Sequence, residues 1–317
     1  MITFDININI NININVNLPH NNQAMPDCQT AILKPIPALA RYTTYIQLPG
    51  TDPRAALLAL CGAADGERTL AGIGQSLVSL LGHRIDELHA FPQFSGRGID
   101  VPSTPAALLL WLSGDDRGEI VHRHRKLNEM LAGAFRCTQV IDAFTFDGHA
   151  RRDLTGYEDG TENPEGPKAV ATAISQRPGI AGSSFLAIQQ WEHDMHRFDA
   201  MPSHEQDQCI GRRRTDNEEL DTAPASAHVK RTAQESFDPE AFVLRRSMPW
   251  AEGERCGLVF TAFGANLDAF EALLKRMVGE EDGITDALFS FTRPLTGAYF
   301  WCPPVQGGKL DLSALGL

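Results

Sequence analysis

The sequence predicts an α+β protein built from two ferredoxin-like domains, each an antiparallel sheet with helices on one face. Two patterns carry this prediction. Residues 29–150 contain strands and helices in the order βαββαβ, and residues 151–304 repeat that order with a different sequence. The chain of 317 residues is also long enough for two medium-sized hydrophobic cores.

The first half begins with a clear alternation of strand and helix signals. Its predicted strands are residues 40–48, 69–81, 106–112 and 138–146. Thr51, Asp52 and Pro53 supply an N-cap and a proline at the first position of a helix that continues to residue 64. A second helix is predicted over residues 117–134. Its apolar stripe consists of Ile120, Leu127, Met130 and Leu131.

The second half follows the same plan. Its predicted strands are residues 184–191, 243–248, 257–263 and 297–301. A polar, helix-like stretch covers residues 203–220. Asn266 is the predicted cap of a helix with a continuous apolar face. That face consists of Leu267, Phe270, Leu273, Leu274 and Met277.

Residues 1–28 are predicted to form an extension outside the fold. Isoleucine and asparagine alternate strictly through residues 6–15 and the pattern continues to Asn17, which is a strand periodicity of low complexity. Such a run is equally typical of a disordered, aggregation-prone segment. We assign this extension no function.

Charge and cysteine content restrict the class of protein. A formal net charge of −12 argues against a nucleic-acid or anionic-membrane partner, because both select clustered Lys and Arg. The six cysteines are scattered, without a C-x-x-C pair or zinc spacing, which predicts free thiols in the cytoplasm. The sequence contains no apolar run near the length of a membrane span and no signal-peptide pattern.

A turn-rich run at residues 156–164 places one carboxylate between two glycines. Gly156 and Gly160 permit positive φ or close approach of another chain segment, so Asp159 is expected on a tight loop. A plain surface turn or a calcium-type acidic loop has the same local sequence. Two further segments change the interpretation of this run.

The first of these segments surrounds His228. Small residues at 225–227 leave room for a flat macrocycle near the main chain, and a neutral imidazole there is suited to bind haem iron. In the second segment, strand alternation places Arg245 and Arg246 on different faces. On local sequence alone, an ordinary core or surface histidine and a pair of solubilising arginines are the more common explanations of the two segments.

These three segments, taken in order, resemble the signature of the dye-decolorizing peroxidases, in particular their compact bacterial branch. The resemblance extends from about Gln29 to Pro304. It implies haem b held mainly by the second domain. It also implies that hydrogen peroxide is reduced and that dyes, phenolics or similar one-electron donors are oxidised through a ferryl haem.

The resemblance also assigns a role to each group. His228 is the implied axial ligand of the haem iron, with Asp286 accepting its other ring proton. Asp159 is the implied proton carrier, with an acidic activity optimum, and Arg245 stabilises charge as the O–O bond breaks and contacts the cofactor. Other cofactor contacts are implied at Thr161, Asn163 and Ser247.

At two positions near Arg245, the role of the residue does not follow directly from the resemblance to the family. Some relatives have asparagine where this chain has Ser247, which puts the help of that amide in doubt. Arg246 is expected to be a surface or haem-edge charge.

Six aromatic residues could relay electrons from the surface, although aromatic side chains more often pack in the core. These are Trp111, Trp191, Trp250, Trp301, Tyr157 and Tyr299.

The expected partners are hydrogen peroxide and a small reductant, and we also expect a homo-oligomer. The tail, residues 305–317, is either a frayed terminus or a peptide that loads the chain into an encapsulin shell. Two rival functions are a non-enzymatic protein that binds haem or releases its iron and a ferredoxin-like binding module without haem. The first rival needs His228 but neither Asp159 nor Arg245.

Overall fold

The computed structural model describes residues 27–147 and 151–317. In that part of the chain, the strands of the first half are β1 (Leu39–Gln47), β2 (Thr69–Ile73), β3 (Phe94–Gly96), β4 (Ile99–Val101), β5 (Leu108–Gly114) and β6 (Phe135–Phe144). Those of the second half are β7 (Ser184–His193), β8 (Leu244–Arg245), β9 (Met248–Glu252), β10 (Arg255–Gly264), β11 (Thr292–Pro294), β12 (Ala298–Cys302), β13 (Val305–Gln306) and β14 (Lys309–Leu310).

The α-helices of the described residues lie between these strands. They are α1 (Arg54–Ala63), α2 (Gln75–Leu80), α3 (Arg117–Leu131), α4 (Gly166–Ala173), α5 (Met195–Ala200), α6 (Ser203–Ile210), α7 (His228–Arg231) and α8 (Asp268–Met277). The fold is therefore a mixture of helices and antiparallel strands, as the sequence predicts.

Ten strands form one sheet, and eight of them close into a ring. The first half contributes the order β6-β1-β5-β2 and the second half contributes β12-β7-β10-β9. The two halves meet where Trp301 of β12 pairs with Ile73 of β2, and where Ala143 of β6 pairs with Trp250 of β9. Every pairing in the ring is antiparallel.

The predicted strand at residues 69–81 is wrong in its second part. Strand β2 ends at Ile73, and α2 follows directly. A Cβ atom at Gly74 would lie 1.9 Å from the carbonyl oxygen of Ala106, so the chain turns where another segment packs against its main chain. The apolar residues after Gly74 therefore pack as one and a half turns of helix, with Leu77 and Val78 buried.

Two other predicted elements are interrupted. The helix-like stretch 203–220 ends at Ile210, because Gly211 adopts a left-handed φ of 93° and terminates α6. The predicted strand at residues 243–248 divides into β8 and the start of β9. Between them, the Arg246 N–H donates to the Thr261 carbonyl over 2.9 Å, and the regular ladder with β10 stops.

The apolar helix faces are largely as predicted. All five predicted residues of the α8 face are buried. On α3, Ile120, Leu127 and Leu131 are buried, but Met130 is 39% exposed. Met130 lies about 100° around the helix from Leu131, which turns it away from the sheet.

Most of the predicted N-terminal extension lies outside the described residues. Its last two residues belong to the fold, since Cys28 is buried and the Asp27 carbonyl accepts from the Val305 N–H. The tail also packs inward, with Leu310, Leu312 and Leu315 buried. Across residues 27–147 and 151–317, no helix has both the length and the apolar character needed to cross a membrane.

Candidate functional site

A cavity of about 320 Å³ lies in the second half, between strand faces and helix α8. All of its lining residues fall between Asp153 and Thr292. Every second residue at the end of β7 reaches it, and so does one face of α8. These lining residues are Gln189, Trp191 and His193 on β7, and Phe270, Leu273, Leu274 and Met277 on α8.

His228 lines this cavity from the first position of α7. Its Nδ1 lies 2.7 Å from Oδ2 of Asp286, whose side chain is fully buried. The fold joins the two segments through the main chain as well, because the Ala287 N–H donates to the Ser226 carbonyl over 2.8 Å. With Nδ1 engaged by the carboxylate, Nε2 is the ring nitrogen that remains for a ligand.

The small residues before His228 have a different position from the one predicted. Ala225, Ser226 and Ala227 do not line the cavity; Ala227 is completely buried. A Cβ atom at Gly211 would lie 3.2 Å from the Cβ of Ala227 and 2.3 Å from Val229. Their small size, together with Gly211, allows α6 and α7 to pack closely.

Asp159 and Arg245 form an ion pair in the same cavity. Arg245 Nη1 lies 3.2 Å from Asp159 Oδ1, and both side chains are about one fifth exposed. The predicted tight loop is present, since Gly156 and Gly160 have φ values of 86° and 83°. The Asp159 N–H donates to the Arg151 carbonyl over 3.0 Å, which fixes the position of the carboxylate.

Asn163 fixes the main chain of Arg245. Its Nδ2 donates to the Arg245 carbonyl over 3.0 Å, and its Oδ1 accepts from the Arg245 N–H over 2.7 Å. The side-chain amide thus replaces a neighbouring strand at the two-residue strand β8. Asn163 does not line the large cavity.

The other predicted site residues, Thr161, Ser247 and Arg246, lie in different parts of the structure. Thr161 lines the large cavity and accepts from Asn217 Nδ2 over 2.9 Å. Ser247 lines a second, small cavity instead. The expectation of a surface charge at Arg246 is wrong, because Arg246 is 7% exposed and donates to the carbonyls of Arg245 and Leu33. Burial, together with the smaller effect of nearby Arg151, lowers the pKa of Arg246 to about 10.

The small cavity has a volume of about 20 Å³ and adjoins the large one. Asp153, Asp159 and Leu258 line both. Ser247, Thr145 and Arg152 add polar side chains to the wall of the small cavity, and Ile36, Phe146, Met248 and Pro249 add apolar ones. Its volume is suited to one water molecule.

The contact between Asp153 and His193 is not identified in the sequence analysis. His193 Nε2 lies 3.2 Å from Asp153, and Nδ1 lies 2.7 Å from Thr292 Oγ1. Burial raises the pKa of the Asp153 carboxyl, but His193 and Thr155 outweigh this, and the pKa lies below its ordinary value. The period-2 pattern from Gln189 to His193 is the sequence signal that could have placed His193 in the cavity wall.

The aromatic residues divide between the cavity and the core. Trp191 and Tyr157 line the cavity. The other four predicted relay candidates are buried side chains that do not reach the cavity wall, in agreement with core packing. They are Trp111, Trp250, Trp301 and Tyr299.

Comparison with known proteins gives consistent results. Residues 150–307 match the family model of the Dyp-type peroxidase C-terminal domain. A dye-decolorizing peroxidase of Mycolicibacterium paratuberculosis is 32% identical over 247 residues, which cover 75% of this chain and 69% of the relative.

Solved structures agree in fold. A putative Dyp-type peroxidase from Shewanella oneidensis has a TM-score of 0.81 at 25% identity, with 92% of this chain and 98% of that chain covered. A variant of DypB from Rhodococcus jostii RHA1 in complex with haem has a TM-score of 0.79 at 25% identity, covering 87% of this chain and 95% of that chain. The sequence match over most of both chains shows that this chain belongs to the dye-decolorizing peroxidase family.

Proposed function

We propose that the large cavity binds haem b and that the chain is a haem peroxidase, which reduces hydrogen peroxide and oxidises dyes, phenolics or similar one-electron donors. One observation supports this proposal above the others. A histidine held by a buried carboxylate and an arginine–aspartate ion pair both line one cavity, in a chain that belongs to this family.

The cavity residues fit a haem. His228 offers Nε2 to an iron ion, while Asp286 holds the ring orientation and increases the basicity of the imidazole. The apolar face of α8, together with Phe260 and Phe291, provides a surface for a flat, largely apolar ring. Thr161 is our proposed polar contact to the cofactor. Asn163 and Ser247 are better explained as supporting residues, through Arg245 and the small cavity.

The residues at the ion pair have complementary functions toward peroxide. Bound haem would supply the iron centre at which the O–O bond breaks and would hold the two oxidising equivalents that peroxide delivers. Asp159 takes a proton from one peroxide oxygen and returns it to the departing oxygen. Arg245 stabilises the negative charge that develops on that oxygen, and its contact with Asp159 keeps both groups in place.

We also propose that the two halves are ferredoxin-like domains. Each half of the ring has four strands whose spatial order, counted along the chain, is fourth, first, third, second. This is the order that a βαββαβ unit produces when both helices lie on one face. Because the cavity is lined only by residues of the second half, haem is assigned to that half.

The cellular setting is a further proposal. All six cysteines are unpaired in the structure, which is typical of a reducing compartment and supports the cytoplasm. We propose a small reductant as the electron donor and a homo-oligomeric assembly. Shell loading by residues 305–317 is less well supported, because Leu310, Leu312 and Leu315 are already buried against the fold.

The visible spectrum of haem-loaded protein tests this function. Wild-type protein should show a Soret band that His228→Ala loses or shifts, and one equivalent of peroxide should change the wild-type spectrum rapidly. A stable haem spectrum that peroxide leaves unchanged would instead indicate a carrier. Protein that binds no haem would contradict the proposal. It would favour the alternative function, a ferredoxin-like binding module without haem.

A further inference from the structure

A second set of titratable side chains lines the cavity, separate from the groups assigned above. His193 at the end of β7 contacts Asp153 and Thr292, and its side chain is 6% exposed. Asp153 lies at the base of the loop that carries Asp159, and its side chain is 14% exposed. Neither group takes part in iron binding or peroxide cleavage as described.

The hydrogen-bond partners of His193 indicate the role of each ring nitrogen. Thr292 Oγ1 donates its one proton to the Glu192 carbonyl over 3.0 Å, so toward His193 Nδ1 it acts as an acceptor. The Asp153 carboxylate is an acceptor toward Nε2, and it also accepts from Thr155 Oγ1 over 2.8 Å. Both imidazole nitrogens therefore donate, and the His193–Asp153 pair holds one removable proton.

The pair has a route to the proposed catalytic carboxylate. Asp153 and Asp159 both line the small cavity, which has room for about one water molecule. Ser247 and Thr145, which carry hydroxyl groups, line the same space. A water molecule there would lie beside both Asp153 and Asp159.

We propose that His193 and Asp153 form a proton relay that supplies Asp159 through the small cavity. Reduction of one hydrogen peroxide to two waters breaks the O–O bond and consumes two electrons and two protons. The proton on His193 Nε2 passes to Asp153 and then through the water to Asp159. It finally reaches the oxygen that remains from peroxide after the first water has left, as the electron donor supplies its electrons. His193 regains its proton from solvent.

The relay matters most for reductants that carry no proton. Ferrocyanide gives up an electron alone, so both protons must come from solvent through the protein. Hydroquinone gives a proton with each electron. A purely structural function of His193, such as holding the loop of Asp159, would affect the two donors equally.

The inference rests on the proposed function, and a comparison of haem-loaded variants tests it. In His193→Gln we expect turnover with ferrocyanide at neutral pH to fall about 100-fold and turnover with hydroquinone to fall less than about threefold. Glutamine retains a donor toward Asp153 but does not carry the proton onward. His196→Gln is the matched control, since His196 is exposed at the second position of α5 and both turnovers should remain unchanged.

A second measurement needs no variant and no turnover. Nitrogen-15 NMR of histidine-labelled, haem-loaded protein, in its reduced and carbon monoxide-bound diamagnetic form, reports the protonation of each ring. We expect His193 to be doubly protonated at neutral pH and to become neutral in Asp153→Asn. A neutral His193 in wild-type protein would overturn the relay, whether or not His193→Gln folds.

The outcomes separate this inference from the proposed function. If wild-type protein binds haem and oxidises both donors, but His193→Gln affects them equally or not at all, the relay is wrong and the peroxidase assignment stands. If wild-type protein oxidises neither donor, the peroxidase assignment fails, and the relay has no reaction to serve.

Discussion

His228 Nδ1 lies 2.7 Å from Asp286 Oδ2, and that carboxylate is buried while the histidine faces a cavity. The same carboxylate accepts the Leu288 N–H through Oδ1 over 2.9 Å, at the start of the short 3-10 helix Ala287–Ser290. Asp286 thus joins a local helix cap to the orientation of the proposed iron ligand.

We therefore expect Asp286→Asn to lower haem affinity by about 10- to 100-fold, because the ring loses its negatively charged partner. Haem titration followed at the Soret band measures this effect. Asp268→Asn is a control on an exposed helix start and should leave haem affinity unchanged. Unaltered affinity in Asp286→Asn would show that the contact does not orient the ligand.

We expect substitutions of Asp159 and Arg245 to slow peroxide cleavage to different extents. Arg245→Ala removes charge stabilisation and should lower the rate of the peroxide reaction about 100- to 1,000-fold. Asp159→Asn should lower it as well if proton transfer through the carboxylate limits the rate. Stopped-flow spectra with peroxide measure both. Full activity in Asp159→Asn with loss in Arg245→Ala would leave Asp159 as a positioning group.

We expect a substitution of Asn163 to lower both the stability of the protein and the rate of the peroxide reaction. Asn163→Ala removes both side-chain hydrogen bonds to the Arg245 main chain, and we expect the free energy of unfolding to fall by about 1–3 kcal/mol. Urea unfolding measures this change. The peroxide rate should fall in the same variant, while Asn217→Ala, which loses contacts to Glu158 and Thr161 instead, should retain more of it. Equal rates in the two variants would contradict a specific link to Arg245.

Asp153 predicts a change in acid stability. Its pKa is lower in the folded protein than in the unfolded chain, so its contribution is present above the unfolded value of about 3.9 and is lost as pH falls through the folded value. Asp153→Asn should therefore unfold more easily at neutral pH, and its difference from wild type should shrink below about pH 4. Urea midpoints from pH 7 to pH 2.5 test the sign. A difference that grows on acidification would refute it.

Hydrophobic periodicity predicted most of the fold. The α8 face follows a helical pattern from Leu267 to Met277, so one misplaced residue does not change the assignment. Strand β7 is a run of ten residues whose first six are all buried. The errors occur where a distant contact decides the conformation. Gly74 ends β2 because the Ala106 carbonyl packs on it, and no local pattern reveals that neighbour.

The site was predictable in its main residues and less so in their support. His228, Asp286, Asp159 and Arg245 were named from the resemblance, and the structure brings them together as two contacting pairs at one cavity. Asn163 was expected at the cofactor, yet it contacts the Arg245 main chain, because hydrogen bonds between residues 82 positions apart depend on the fold. Arg246 is buried for the same reason, through the Leu33 carbonyl.

Closure of the strand ring has a consequence for the half that contains the cavity. In isolation, that half would end in β9 on one side and β12 on the other, with main-chain N–H and C=O groups unpaired on both. Unpaired edge strands of this kind tend to pair with strands of other chains. Each half covers the borders of the other, so we expect the cavity-bearing half to aggregate when expressed alone, although it contains every lining residue.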